Sequence, residues 1–294
     1  MRNIKSRKMY LATVMFLILF TLPINAAEIL NAEQWYDKGN DCQSKKDYDK
    51  AILAYSNAIE LNSKYKYAYN DRGVAYIYQK KYELAISDLN KAIELDPKYT
   101  AAYVNRGNVY IYTSQLDLAM SDFTQAIQLD PKCLQGYSNR GTIYHSRGQY
   151  NLAIIDYNKA IEIRPYAETY NNRAITYSSM EQYDSAIIDY NQAISLDSKN
   201  AKIYKNRGNA YMAKGQLEQA ILDYDKAIEL NPNDAKAYYA KAIFYHNSGY
   251  NDEALKAYKL FLQVAPLDDP KVERVKRFIQ SIEEVSYLSK VKEE

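Results

Sequence analysis

A string of eight residues, Tyr-x-Asn-Arg-Gly-x-x-Tyr, returns along this chain at nearly constant intervals, and no other feature constrains the fold as much. Close variants read YNDRGVAY from Tyr69, YVNRGNVY from Tyr103, YSNRGTIY from Tyr137, YNNRAITY from Tyr170 and YKNRGNAY from Tyr204. Their first residues step by 34, 34, 33 and 34. Degenerate copies, WYDKGNDC from Trp35 and YYAKAIFY from Tyr238, flank the five at offsets of 34. A fixed period of about 20–50 residues marks a stack of units, each burying its apolar face against its neighbours.

Numbering the unit from Ala32 brings out further columns. Position 8 is small throughout, as Gly39, Gly73, Gly107, Gly141, Ala174, Gly208 and Ala242. Position 20 is Ala in all seven copies, from Ala51 to Ala254, and position 27 is Ala in six, with Phe261 in the last. Small side chains let two helices approach closely, and aromatic residues fill the spaces beside them. Positions 4, 11, 17 and 24 take up 21 of the 32 tyrosines. The tyrosine excess therefore reads as core rather than as a stacking platform for bases. Pro97, Pro131, Pro165, Pro232 and Pro266 end the second helix of their units, because proline cannot continue a helix.

These landmarks resemble the tetratricopeptide repeat (TPR) family, over Ala32 to about Asp268. The resemblance implies an all-α fold, an α-solenoid of helix-turn-helix repeats coiled as a right-handed superhelix with helix A on the inner side. The seven repeats span 32–65, 66–99, 100–133, 134–166, 167–200, 201–234 and 235–268, followed by a capping helix and tail over 269–294. In that tail Asp269 suits a cap, Pro270 suits a first turn, and Val272, Val275, Ile279, Ile282 and Val285 make one apolar face. Repeat stacks need such an end piece.

One charged column pairs with another. Arg72, Arg106, Arg140, Arg173 and Arg207 hold position 7, and Asp88, Asp122, Asp156, Asp189 and Asp223 hold position 23. Both are missing from the first and last repeats, which carry Lys38 with Ala54 and Lys241 with Ala257. Pairing within a repeat satisfies all five of each, whereas pairing across repeats would leave Arg72 facing Ala54. The expectation is a structural ion pair from helix A to helix B, open to bidentate geometry.

In relatives with this repeat, ligand contacts come from helix A. Carried onto this chain, position 6 offers Asp71, Asn105, Asn139, Asn172 and Asn206, a ladder able to hold an extended peptide's backbone or to bond its own neighbours. Tyr67, Val74, Ile77, Tyr78, Val104, Ile111 and Tyr112 make one stretch of the groove apolar, while Lys202, Lys205, Asn209 and Lys236 make another basic. Lys205 and Asn209 match part of a carboxylate clamp, but the clamp's next Asn is Ala240 here, so the full motif fails.

Enzyme readings find little material. Five of the nine glycines stand at position 8, and Gly148, Gly215 and Gly249 mark turns, so no phosphate-cradling loop remains. His145 and His246 sit at position 12 of distant repeats without a carboxylate or Cys set at ligand spacing, and read as polar groove residues. No catalytic residue, metal or cofactor is expected. The net charge of +2 comes from Arg2, Lys5, Arg7 and Lys8, so the nearly neutral body is no footprint for nucleic acid.

Those four cations precede sixteen mostly apolar residues, Met9 to Ile24, and then Asn25, Ala26 and Ala27. Basic, apolar, small is the layout of a cleaved secretory signal over 1–27, with an uncleaved anchor as the alternative. Export makes the two cysteines informative: Cys42 reads as a core thiol and Cys133 as a loop residue, too far apart for a disulfide. The expected protein is an exported, periplasmic or secreted, scaffold that takes a protein or peptide partner. It meets membrane only if the N-terminal segment is retained.

Overall fold

A computed structural model describes residues 30–293, with side chains through Glu284; the expected signal or anchor lies outside these. Among the described residues there are fifteen α-helices and no strand. They divide into two compact units, one up to Thr113 and one from Ser114 on.

The first unit holds α1 (Ala32–Ser44), α2 (Tyr48–Leu61), α3 (Lys66–Tyr78), α4 (Tyr82–Leu95) and α5 (Thr100–Tyr112). The second begins with α6 (Leu116–Leu129) and runs through α7 (Leu134–Ser146), α8 (Tyr150–Ile163), α9 (Ala167–Ser179), α10 (Tyr183–Leu196), α11 (Ala201–Ala213) and α12 (Leu217–Leu230). It ends with α13 (Ala235–Asn247), α14 (Asn251–Val264) and α15 (Val272–Glu293). Within each unit, successive helices pack as antiparallel pairs and each helix B leans on the next helix A. The fold class is all-α solenoid.

Small residues set the close approach. Ala51, Ala85, Ala119, Ala153, Ala186, Ala220 and Ala254 are fully buried, as are Ala58, Ala92, Ala126, Ala160, Ala193 and Ala227. Tyr55, Tyr157, Tyr190, Tyr224 and Tyr258 at position 24 are buried between them. A Cβ on Gly141 would come within 2.9 Å of the Tyr157 ring, and one on Gly208 within 2.8 Å of Tyr224. Burial pushes the phenols of Tyr157 and Tyr190 up to about 12, so they stay neutral.

Every described turn from helix A to helix B passes through a left-handed residue at position 15. Lys46, Lys80, Ser114, Gly148, Glu181, Gly215 and Gly249 have φ between 58° and 78°. The next amide then reaches back to the carbonyl of position 11, as Gln149 N–H does to Tyr144 and Gln216 N–H to Tyr211, both at 2.9 Å. This satisfies orphan carbonyls at the helix end. Four of the seven positions carry side chains in a region that glycine occupies at no steric cost.

The arginines bridge three helices. Arg72 donates through Nε and Nη2 to both Asp88 oxygens at 2.7 and 2.8 Å, and through Nη1 to Ser56 of the preceding helix B at 2.9 Å. Arg140 binds Asp156 at 2.8 Å twice and Thr124 at 3.3 Å. Arg173 and Arg207 do the same with Asp189 and Asn158, and with Asp223 and Asn191. Asp88, Asp156, Asp189 and Asp223 are all buried. Arg140, Arg173 and Arg207 each lie 5.5–5.9 Å from the rings at positions 4 and 11. Arg106 donates to Asn90 at 2.7 Å; it belongs to the first unit and Asp122 to the second.

The last helix covers the end of the stack. Val272, Val275 and Ile282 of α15 are buried against Ala254, Ala257, Tyr258 and Phe261, with Phe278 and Ile279 alongside. Pro270 lies in the turn before the helix rather than in its first turn, and the Asp269 carboxylate accepts from Lys271 N–H at 2.8 Å. The Val285 side chain lies outside the described ones.

Two expectations need correction. Cys42 is only half-buried rather than a core thiol, whereas Cys133 is the loop residue expected, just before α7, and is buried beside Gly136; both are free. His246 packs against Phe278 and Tyr258 under the capping helix, not in a groove. His145 bonds Thr176 Oγ1 of the neighbouring helix A at 3.0 Å, and burial holds its imidazole below the usual range.

Candidate functional site

The helix A faces of the two units carry the candidate groove residues, and their polar groups are already in conversation with one another. In the first unit Asn105 Nδ2 donates to Asn70 Oδ1 at 2.9 Å, and Asn70 Nδ2 donates to Asp71 Oδ1 at 2.7 Å. The Tyr36 hydroxyl donates to Asp71 Oδ2 at 2.6 Å. One network thus ties α1, α3 and α5. Burial raises the Asp71 carboxyl above its usual range, against the hydrogen bonds it accepts from Tyr36 and Asn70.

The second unit repeats the device. Asn206 Nδ2 donates to Asn171 Oδ1 at 3.1 Å, and Asn171 Nδ2 to Asn172 Oδ1 at 3.3 Å. Asn139 holds the same position on α7. The ladder residues therefore brace adjacent helices, and what they offer a ligand is their remaining valence: an amide has four hydrogen-bonding sites. Of the position-5 residues, the sequence pattern pointed to Val104 and Lys205 but not to Tyr36, Asn70 and Asn171. Tyr36, Asn70 and Asn171 each stand 35 residues before their partner at position 6. Asn occurs at position 5 only where Asn follows at that offset, a signal present in the sequence.

The basic stretch is thinner than its lysine count. Lys205 Nζ donates to Asp234 at 2.9 Å, with both side chains mostly buried, so Lys205 is a structural cation rather than a free one. Lys202 and Lys236 are exposed and have no ion-pair partner among the described residues. Lys202 stands at an open pocket of about 360 Å³ between α9 and α11, together with Asn206, Asn209, Ser178, Ser179 and Tyr183. Asn209 accepts from the Tyr224 hydroxyl at 2.8 Å, which leaves its amide N–H groups for a ligand. An exposed ammonium and an amide donor at one pocket suit an oxyanion, while Ser179 gives its hydroxyl proton to the Ile175 carbonyl at 3.1 Å.

The aromatic stretch lies in the first unit. Tyr78 and Tyr112 are 61% and 59% exposed, far more than a packed ring. Each stacks on the position-17 tyrosine of the preceding repeat, Tyr48 with Tyr78 at 4.6 Å and Tyr82 with Tyr112 at 5.8 Å. Tyr67 is exposed too, edge-on to Tyr99 at 5.4 Å, whereas Val104 is buried in the core. Among the described residues no group of three or more His, Cys, Asp or Glu gathers as a metal site would, and no helix is long and apolar enough to cross a membrane.

Comparison with known proteins agrees with this geometry. The family model of the tetratricopeptide repeat matches residues 32–65, 67–99, 100–133, 135–166 and 201–234. Further TPR models match 176–215 and 223–256. No curated protein matches the chain. Among solved structures, a tetratricopeptide repeat protein from Parabacteroides merdae is 19% identical over 85% of this chain and 98% of its own, with a TM-score of 0.63. Pseudomonas aeruginosa pilF is 17% identical over 74% of this chain and 96% of its own, with a TM-score of 0.63. YrrB, described as a TPR protein with an unusual peptide-binding site, is 25% identical over 64% of this chain and 97% of its own, with a TM-score of 0.52. Repeat models covering most of the chain, on helix pairs of this construction, make it a member of the tetratricopeptide repeat family.

Proposed function

We propose that this protein is an exported, non-enzymatic scaffold that holds an extended protein segment along its helix A faces. Tetratricopeptide repeats imply a protein–protein interaction scaffold; the extended ligand, the groove and the export are the finer reading. Its main support is the pocket between α9 and α11, where exposed Lys202 stands beside Asn206 and Asn209 without an acidic partner among the described residues. An acidic side chain of a bound segment fits that chemistry, and the exposed Tyr78 and Tyr112 fit apolar side chains. The peptide-binding site in the description of YrrB adds to the reading.

Peptide display against the chain from Glu28 onward, which retains every described helix, tests the groove. Selected sequences should be enriched in Asp or Glu, and Lys202→Glu should abolish that enrichment. Selection of basic or featureless sequences would sink the reading. Export rests on the basic, apolar, small layout of residues 1–27. Sequencing the N-terminus of the native protein tests it: a start near Ala27 or Glu28 fits the secreted form. A membrane-bound form that keeps Met1 fits the alternative, an anchored assembly factor.

A further inference from the structure

The side of helix B that faces away from helix A carries an apolar row unrelated to the groove. At position 22, three consecutive repeats of the second unit present Ile155, Ile188 and Leu222, exposed by 57%, 61% and 69%. Leu118 and Leu152 extend the patch from position 19. The row is finite: position 22 is Ser121 before it and Lys256 after it. Core packing does not explain three branched aliphatic residues this exposed in register. Together the five side chains expose roughly 500 Å² of apolar surface, near the upper end of what a monomer shows.

The charges around the row identify its occupant. One helical turn before each aliphatic residue stand Asn151, Asp184 and Glu218, and one turn after stand Lys159, Gln192 and Lys226. Residues at i, i+4 and i+8 share a face, so each helix reads acid or amide, aliphatic, then Lys or amide. A half-turn about the row's own axis lays the row on itself and exchanges its two borders. Glu218 then meets Lys226 of a second copy, Asn151 meets Lys159, and Asp184 meets Gln192. The parallel alternative would set Lys226 against Lys159. From this self-complementarity we infer that the chain forms an isologous dimer through these helix B faces, with the helices antiparallel across the two-fold axis. A standard interface buries about 800 Å² per partner, which the row and its polar borders together can supply. The pairs Lys159–Glu162 and Lys226–Glu229 lie exposed within their own helices and give up little on facing a second copy.

Sedimentation equilibrium on the chain from Glu28 onward, over a wide concentration range, reads the dimer directly. Ile188→Glu, at the centre of the row, should raise the dissociation midpoint about tenfold or more. Glu218→Lys and Lys226→Glu should each weaken the dimer several-fold, and the double swap should return it to within about twofold of the parent. All three sites are on the surface, and circular dichroism checks that the variants fold; Leu222→Ser replaces Ile188→Glu if that variant does not. A chain that stays monomeric throughout, a dimer indifferent to Ile188→Glu, or a swap that fails to restore would each overturn the inference.

Discussion

Repeats four to six and repeat seven solve the same problem in different ways. Between the rings at positions 4 and 11, Arg140, Arg173 and Arg207 bind a buried aspartate of their own repeat and touch the preceding helix B only through a neutral side chain. In repeat seven Ala257 replaces that aspartate, and Lys241 pairs instead with Asp225 of the preceding helix B. The acid has moved from the partner helix to the neighbouring repeat. A cavity of about 380 Å³, lined by Tyr238, Tyr245 and Ala257, opens at the vacated place. The interior repeats thus lock helix A to helix B, while the last repeat ties itself to the one before. Burial differs as well: Asp156 is 4% exposed at its side chain and Asp225 51%.

That difference sets the largest expected effect. Asp156→Ala leaves the Arg140 guanidinium half-buried without its carboxylate and should cost about 3–5 kcal/mol in denaturant unfolding. Asp225→Ala breaks an exposed pair and should cost about 0–1 kcal/mol. Equal losses at the two sites would erase the distinction. A graft sharpens it: Lys241→Arg with Ala257→Asp should rebuild the interior pair inside the cavity. A double-mutant cycle on unfolding should then show coupling of about 1–3 kcal/mol, and additive effects would mean the last repeat cannot adopt the interior geometry.

The turns allow a smaller comparison between repeats five and six. Glu181 and Gly215 occupy the same left-handed position, at φ 60° and 75°. Gly215→Ala should lose about 1 kcal/mol, and Glu181→Gly should gain about 0.5–1 kcal/mol, read as opposite shifts in Tm. The smallest effect concerns His145, whose imidazole burial holds below its usual range. The folded state binds that proton less readily than the unfolded chain, so stability is lost as pH falls through about 6.5 and below. His145→Gln should flatten that part of the pH profile of Tm.

Much of this was legible as columns of residues. The all-α solenoid and the family follow from Gly or Ala at position 8, Ala at 20 and 27 and the aromatic residues between them, because small and large residues at fixed helical offsets leave little freedom in pairing. The shared presence of Arg and Asp 16 residues apart pointed to helix A and helix B of one repeat for the same reason. Contacts between repeats were harder to read. Nothing in the period says that Arg140 also reaches Thr124, that Lys205 is taken by Asp234, or that Cys133 is buried. Those depend on how one repeat leans on the next, which a one-dimensional pattern does not encode. The offset of 35 that joins Asn70 to Asn105 and Asn171 to Asn206 was available, and it turns the ladder from a free row of amides into a brace with part of its valence spare.

The central claim, that a protein segment lies along helix A with an acidic residue at Lys202, is tested most directly by titrating one display-selected acidic peptide against four proteins. These are the parent, Lys202→Glu, Asn209→Ala and the surface control Lys132→Glu, each at low and high salt. The account predicts that Lys202→Glu weakens binding strongly and removes most of its salt dependence, and that Asn209→Ala costs about 0.5–1.5 kcal/mol. Lys132→Glu should change nothing. Equal affinity for the parent and Lys202→Glu at low salt would contradict the account and place the binding surface elsewhere.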